Sequence, residues 1–455
     1  MDGSWASSEI TSAQEGQPTG DSAYIRASLR YFLEDMTGPR VYLRAIAGID
    51  TLLDNINVTD GDWTMYFQTA EGKAGWTKFK VNVRQGSDNF IVSHATTMTN
   101  SPACESEGFQ LELQASPTST SDLVRGIIDH CTMLWGTDSN FDIRNQNPAE
   151  YKVDSIFAYR NMFAQPISWN GAGFGCDDHG YNVGIGLSYV MGDAIDETKR
   201  VRNVVFFQNL LAHAQSRNPL ANADLTWVNN IVYNPKSRST YLRNEGPPNE
   251  PTPPYTYQDP HSSDFVLIEN LYKKGPATGG GVYPILFGTS SSDTLGASSL
   301  VYIAGHGDDF TQTEVWNDNS NIDHLTGNTL NGVGTMGLPI VGRDNLLTTL
   351  LPTIGSTALY RTTAEQKILD DALSGGGTAS SDGTGIINQV DVAGGTSHPG
   401  GFPNINKTKA VWTFPSNPNG ASTKYPGFTR IEEWIHDNFT VIVEKREDQT
   451  IITGN

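Results

Sequence analysis

The stretch from Val201 to Asn234, VRNVVFFQNLLAHAQSRNPLANADLTWVNNIVYN, limits the fold more than any other part of the chain. Val201, Val204 and Phe206, then Leu225, Trp227, Val228, Ile231 and Tyr233, form short β-branched or aromatic runs. Asn209, Asn229, Asn230 and Asn234 fall where those runs end. Runs of this length closed by turn-forming residues read as strands, and no helical periodicity separates them. Two strand-and-asparagine units so close together predict stacked coils of a parallel β-solenoid. Asn209 and Asn230, at the same place on neighbouring coils, predict a ladder of side-chain amides that serves packing. Arg217, presented between the strands, is the candidate chemical group.

The rest of the chain fits this pattern. Strand-like runs at Arg40–Leu43, Trp63–Phe67, Phe79–Val83, Phe90–Ser93, Phe109–Leu113, Val124–Ile128, Phe265–Ile268 and Ser299–Ile303 recur without a strict repeat, at the period of about 20–30 residues expected of a solenoid. With 46 glycines, 23 prolines and 18% charged residues, the composition favours turns over surface helices. Helical periodicity is confined to Ile25–Met36, read as a cap on an open end, and Glu365–Leu373. The expected organisation is all-β: a polar leader at 1–22, one parallel β-helix domain over 23–437, and a tail at 438–455. Two long loops are expected, a Pro-rich one at 234–258 and one at 374–385 with the composition of a flexible spacer.

A net charge of -20 argues against nucleic acid and anionic membranes, since phosphate binding needs clustered Lys and Arg. A polyanionic sugar would need a local basic groove or a bridging cation. Cys104, Cys131 and Cys176 have no metal-ligand spacing. Cys131 reads as a small core residue, while pairing of Cys104 with Cys176 stays open. No apolar run has transmembrane length, and no signal peptide is visible, which leaves an extracellular or virion-associated protein as the expectation.

Several segments, in order, resemble the polysaccharide lyase family that includes bacterial and fungal pectate lyases. They are SLR at 28–30 with GPR at 38–40, QTA at 68–70 with GWT at 75–77, and IDHCT at 128–132 with WGTD at 135–138. HGY at 179–181, NLLAH at 209–213 with SRNP at 216–219, and NNIVYN at 229–234 follow. DGTGII at 382–387 and GFTRIEEW at 427–434 complete the series, so the resemblance spans about Ser28 to Ile435.

The resemblance implies a right-handed parallel β-helix that cleaves acidic, uronate-containing polysaccharide by calcium-assisted β-elimination. It implies Arg217 as the catalytic base and Ca²⁺ held by Asp138 and Asp142, with Glu107 as the nearest third acid and Asp122 behind it. Without the family, Asp138 and Asp142 read equally as turn residues. His179, His213 and Asn218 are candidate substrate-binding residues, and Asp129–His130 reads as structural. The chain departs from the family at Leu220, where an arginine is usual, at Phe207-Gln208 in place of two histidines, and at Ser139 in place of a glutamate. The alternative is a non-catalytic or weakly active glycan-binding β-helix, such as a phage tail-spike or appendage domain, expected as a homotrimer.

Overall fold

A computed structural model of the chain describes residues 29–44, 47–52, 54–70, 72–99, 107, 109–113, 123–145, 152–168, 179–187, 201–243, 263–288, 299–310, 323–324, 339–357, 360–387, 415–417, 420–426, 429–430 and 433–434. The expected leader, the tail, most of the Pro-rich loop, Asp122, Cys104 and Cys176 lie outside them.

Among the described residues the strands form three sheets of ten, nine and eight strands, and the chain visits each sheet once per coil. The first sheet runs from Arg40–Leu43 through Trp63–Tyr66, Asn89–Ser93 and Leu123–Asp129 towards Leu300–Ala304. Neighbouring strands are parallel throughout, as in Arg40↔Trp63, Ile127↔Phe157 and Trp227↔Leu267. This is a parallel β-helix, with the right-handed crossover that parallel strands adopt. Alternating side chains fill its interior, where Phe109, Phe141, Phe163, Phe206 and Trp227 follow one another from coil to coil at ring separations of 5.4–6.0 Å. Cys131 is a free thiol in this core, and burial pushes it up to about 12.

The corner between the first and second sheets fixes the phase of the coils. It takes two residues, the first at positive φ: His130 (45°), Arg160 (49°), Gln208 (57°), Asn229 (55°) and Glu269 (49°). A left-handed residue turns the chain sharply, at a steric cost for anything but glycine. The second residue offsets it. Asn161, Asn209, Asn230 and Asn270 form a buried ladder in which Asn209 Nδ2 donates to Asn230 Oδ1 at 2.9 Å and Asn161 Nδ2 donates to Asn209 Oδ1 at 3.0 Å. The backbone N–H of Asn209 also donates to Asn230 Oδ1, at 2.9 Å. The predicted two-member ladder is therefore the middle of a four-member one.

At the N-terminal end the chain is helical at Leu29–Arg30 and tightens to a π-helical turn over Tyr31–Asp35, with Leu29, Phe32 and Leu33 buried against the first coil. The longest described helix, Thr363–Ser374, starts in a capping box in which Glu365 N–H donates to Thr362 Oγ1 at 3.2 Å. It lies over the outer face of the second sheet, anchored by a buried ion pair of Lys73 Nζ with Glu365 Oε1 at 2.6 Å. Two sequence expectations are corrected here. The Pro-rich excursion contributes a strand, Thr240–Leu242, to the third sheet. The segment 374–385 is not a spacer. Its backbone packs on the second sheet, where Gln165 Nε2 donates to the Ala379 carbonyl at 2.7 Å and Asn234 Nδ2 to that of Thr384 at 2.6 Å. Asp371 ties the segment down by accepting from Thr378 Oγ1 at 2.7 Å and from Ala379 N–H at 2.8 Å.

Replacing Asn230 by Ala strands the Asn209 backbone N–H and the Phe206 carbonyl, while the Asn209 amide keeps its bond to the Ala158 carbonyl. Urea unfolding is expected to show a loss of roughly 2–6 kcal/mol, from about 1–3 for each of these two stranded buried groups. A loss within about 0.5 kcal/mol, the range of ordinary surface changes, would mean that the ladder does not hold the coils together. Asp371 carries a pH signature. Burial alone would raise its carboxyl, but bonds from His213, Thr378 and Ala379 outweigh this and hold it at about 2 against 3.8. Its contribution, about 2 kcal/mol from that difference, is present above pH 3.8 and is lost as pH falls towards 2. Asp371→Asn should remove it at neutral pH and flatten stability across that acid window.

Candidate functional site

Strand alternation builds the site on the outer face of the third sheet. In Ser139–Asn145, Phe141 and Ile143 enter the core, which sends Asp142 and Arg144 outward. Register aligns Asp142 with Gln110 and Asn82 on preceding coils, and with Gly184, Leu220 and Tyr241 on following ones. Asp138 stands at the corner just before the strand. Glu107 reaches the same place from the coil before.

Glu107, Asp138 and Asp142 each offer a carboxylate oxygen, and these oxygens lie within 4.8 Å of one another. Three carboxylates cannot share a buried space unless cations compensate them. Arg144 Nη2 does so, donating to Glu107 at 3.0 Å, to Asp138 at 2.8 Å and to Asp142 at 2.5 Å. Lys80 Nζ donates to Glu107 Oε2 at 2.8 Å, and Gly184 N–H to Asp142 Oδ1 at 3.0 Å. Burial lowers the Arg144 guanidinium, but Asp142, Glu107 and Asp138 more than offset this and hold it above its ordinary value. Burial pushes Glu107 up to about 7 against the pull of Lys80 and Arg144. With three acids and two bases the cluster keeps one formal negative charge. Asp138 Oδ1 is the buried oxygen left without a hydrogen bond.

Arg217 faces that oxygen. Its Nη1 is 3.9 Å from Asp138 Oδ1, beyond hydrogen-bond reach, and is itself a buried donor without an acceptor. The backbone is left-handed at Arg217 (φ 57°), and its carbonyl accepts from Val183 N–H at 2.9 Å, which locks the residue to the neighbouring coil. Its guanidinium lies over the Tyr181 ring, 4.0 Å from the centroid, and Tyr181 meets half-buried His179 edge-on at 5.3 Å. Arg217, Asp138, Asp142, Glu107 and His179 thus come together on one face. Tyr181 is the neighbour whose role sequence reasoning missed. Its one signal was an aromatic residue beside the Gly180 corner.

Two expected substrate contacts are corrected. His213 lies not on this face but under the second-sheet cover, fully buried, with Nδ1 2.9 Å from Asn234 Nδ2 and Nε2 3.4 Å from Asp371 Oδ2. Gly385 closes over it at φ 81°, so near that a Cβ would stand 2.0 Å from the ring. Burial lowers the imidazole pKa and keeps it neutral. Asn218 is 1% exposed, too little to touch a ligand, because its amide is committed to a second ladder. There Asn140 donates to Asn182 at 2.9 Å, Asn182 to Asn218 at 2.7 Å, and Asn218 to the Arg238 carbonyl at 3.1 Å. Asp129 and His130 do meet, at 2.6 Å, because the left-handed corner ends the strand alternation at His130. They sit at the corner where that strand of the first sheet ends.

Fold and site together define a parallel β-helix bearing an acidic cluster flanked by arginine on its third sheet. Solved structures similar to the chain include a pectate lyase from Bacillus sp. N165 in complex with trigalacturonate, at 13% identity and TM-score 0.45 over 78% of this chain and 98% of that one. Another pectate lyase, described for its substrate specificity and anti β-elimination mechanism, matches at 14% identity and TM-score 0.43 over 67% and 69%. The major allergen from cedar pollen matches at 11% identity and TM-score 0.43 over 76% and 87%. The homotrimer expectation gains no support from these neighbours. No family profile and no curated protein matches the chain.

Replacing Arg144 by Ala leaves three buried carboxylates with Lys80 alone. A loss of about 3–5 kcal/mol is expected, read as a fall in thermal midpoint. Added Ca²⁺ should recover part of it, by mass action on a site present only in the folded state. A variant as stable as the parent protein would refute this account of the cluster.

Proposed function

We propose that the protein is a pectate-lyase-like enzyme that cleaves a uronate-containing polysaccharide by β-elimination. The observation that supports this best is the approach of Arg217 Nη1 to Asp138 Oδ1, two buried unpartnered atoms 3.9 Å apart on the outer face of the third sheet. The acid cluster suits a divalent cation in kind, since hard cations take several oxygen ligands and Asp138 Oδ1 is free to serve. Glu107, Asp138 and Asp142 would hold it. Bound Ca²⁺ would supply positive charge against the substrate carboxylate while negative charge develops beside it.

The chain's own residues do the rest. A uronate lying along the groove places the proton alpha to its carboxylate against Arg217. The Arg217 guanidine, in its uncharged form, takes that proton, and the electron pair left on carbon forms a double bond as the C4–oxygen bond breaks; the departing oxygen keeps the bond's electron pair and takes a proton from water, and Arg217 then returns its own proton to solvent. The Tyr181 ring holds the guanidine plane from behind, so that its free Nη1 is aimed rather than averaged over rotamers. Arg144 balances the acids and keeps Asp142 and Asp138 fixed through each turnover.

A second reading, a glycan-binding β-helix without turnover, is favoured by one feature. Arg144 already occupies one oxygen of each acid, so a cation has to compete with a guanidinium. Incubation with polygalacturonate and Ca²⁺, followed by the ultraviolet absorbance of the unsaturated product, separates the two. The first reading expects product, and a fall in kcat of about 10²–10⁴ for Arg217→Ala with binding retained. Glycan binding without product from any uronate polymer would leave the second reading standing.

A further inference from the structure

The geometry points to a substrate-binding residue one coil beyond Arg217. We propose that Arg238, stacked on Tyr241, binds the carboxylate of the next uronate along the chain. This rests on the proposed uronate specificity of the groove and extends it.

The position follows from register. Leu220 pairs with Tyr241, so three residues back along both segments Arg217 stands beside Arg238. The turns match bond for bond: Ser237 N–H donates to the Gln215 carbonyl at 2.9 Å, and Asn218 N–H to that of Ser239 at 3.2 Å. Asn218 Nδ2 also holds the Arg238 carbonyl at 3.1 Å, so the end of the second amide ladder sets this residue's backbone. The two arginines are therefore one inter-strand step apart, about 4.8 Å, which is close to the size of one pyranose unit.

The charge pattern says what the position is for. Like charges directly opposed on neighbouring strands are unfavourable unless something neutralises them. The chain carries 50 acidic residues against 30 basic ones, so a counter-charge would be easy to supply. Yet Arg238 is exposed and has no carboxylate partner among the described residues. Lys236, also exposed, reaches no acid there either and rests 3.4 Å from Gln215 Oε1. What Arg238 does have is an aromatic support, its guanidinium 5.0 Å from the Tyr241 ring centroid. Leu220, Tyr241 and Leu286 form an apolar strip on the same outer face. A cation held over an aromatic ring beside an apolar strip suits a sugar acid, whose ring face is apolar and whose edge is charged.

Calorimetric titration of the full chain with galacturonate, from monomer to hexamer, in Ca²⁺-containing buffer tests this. Arg238→Ala should weaken binding of the dimer and every longer oligomer about five- to tenfold, leave galacturonate monomer unchanged, and reduce the salt dependence of affinity. Arg238→Lys should recover part of the loss. The thermal midpoint of both variants should match the parent, because the side chain is exposed. Equal affinity of Arg238→Ala and the parent for every length would overturn the assignment. So would a parent that binds no uronate oligomer, or a loss that neutral galactose oligomers share. If the parent binds with the predicted length dependence but forms no unsaturated product, Arg238 stands and the lyase reading falls.

Discussion

Register between coils is the constraint on which everything else depends. A β-helix has no sequence repeat to count by, so something must stop each coil from slipping against the last. A slip of one residue would turn Asp142 and Arg144 into the core and put Phe141 and Ile143 in water. The two-residue corner prevents this. Its left-handed first residue fixes where the strand ends, and the asparagine after it bonds both the amide and the backbone of the coil before. Once the phase is set at one corner, alternation sets it round the coil, and the outward row on the third sheet follows.

The three faces are then used differently. The second sheet is covered by Thr363–Ser374 and the segment after it, through Lys73, Gln165, His213 and Asn234. Burying Lys73 is costly, and its pKa falls to about 8 even beside Glu365. That cost is sustained because Ser356, Thr132 and Thr362 satisfy the remaining donors and acceptors. The cover and the acid cluster therefore lie on different sheets. Polar groups under the cover are structural, however catalytic their types look in the sequence.

This division explains what could be read in the sequence and what could not. The solenoid was legible because strand runs ending in asparagine are a local signal, and Asn209 and Asn230 each sit at the corner they mark. Arg217 stood out from the strand runs around it, whereas Asp138 and Asp142 were picked out only through the resemblance to pectate lyases, since their spacing alone fits turn residues equally well. His213 was not. Its motif places it after a strand like any groove residue, and only the segment 374–385, more than 150 residues later, decides that it is covered. Asn218 misled for the same reason, since an asparagine beside Arg217 looks like a ligand contact until the neighbouring coil supplies Asn182. Arg144 and Arg238 went unassigned because each acts through register with residues on other coils, a relation that linear spacing does not display.

The electrostatics of the groove follow from where this acidic chain places its few bases. Arg144 and Lys80 stand inside the acid cluster and leave it one charge short of neutral. Arg217 stands at its edge, facing the one buried carboxylate oxygen that, among the described residues, nothing satisfies. Arg238 stands beyond it, outside the reach of any described acid. Along the coil axis the face passes from compensated negative charge to uncompensated positive charge over a few inter-strand steps of about 4.8 Å. A neutral glycan would gain nothing from such a gradient. A polymer with one carboxylate per sugar gains at each arginine, and at the acid end it needs a cation between its own charge and the protein's. On the proposed lyase reading, the arrangement that would make calcium useful there would make a second arginine useful at the other end.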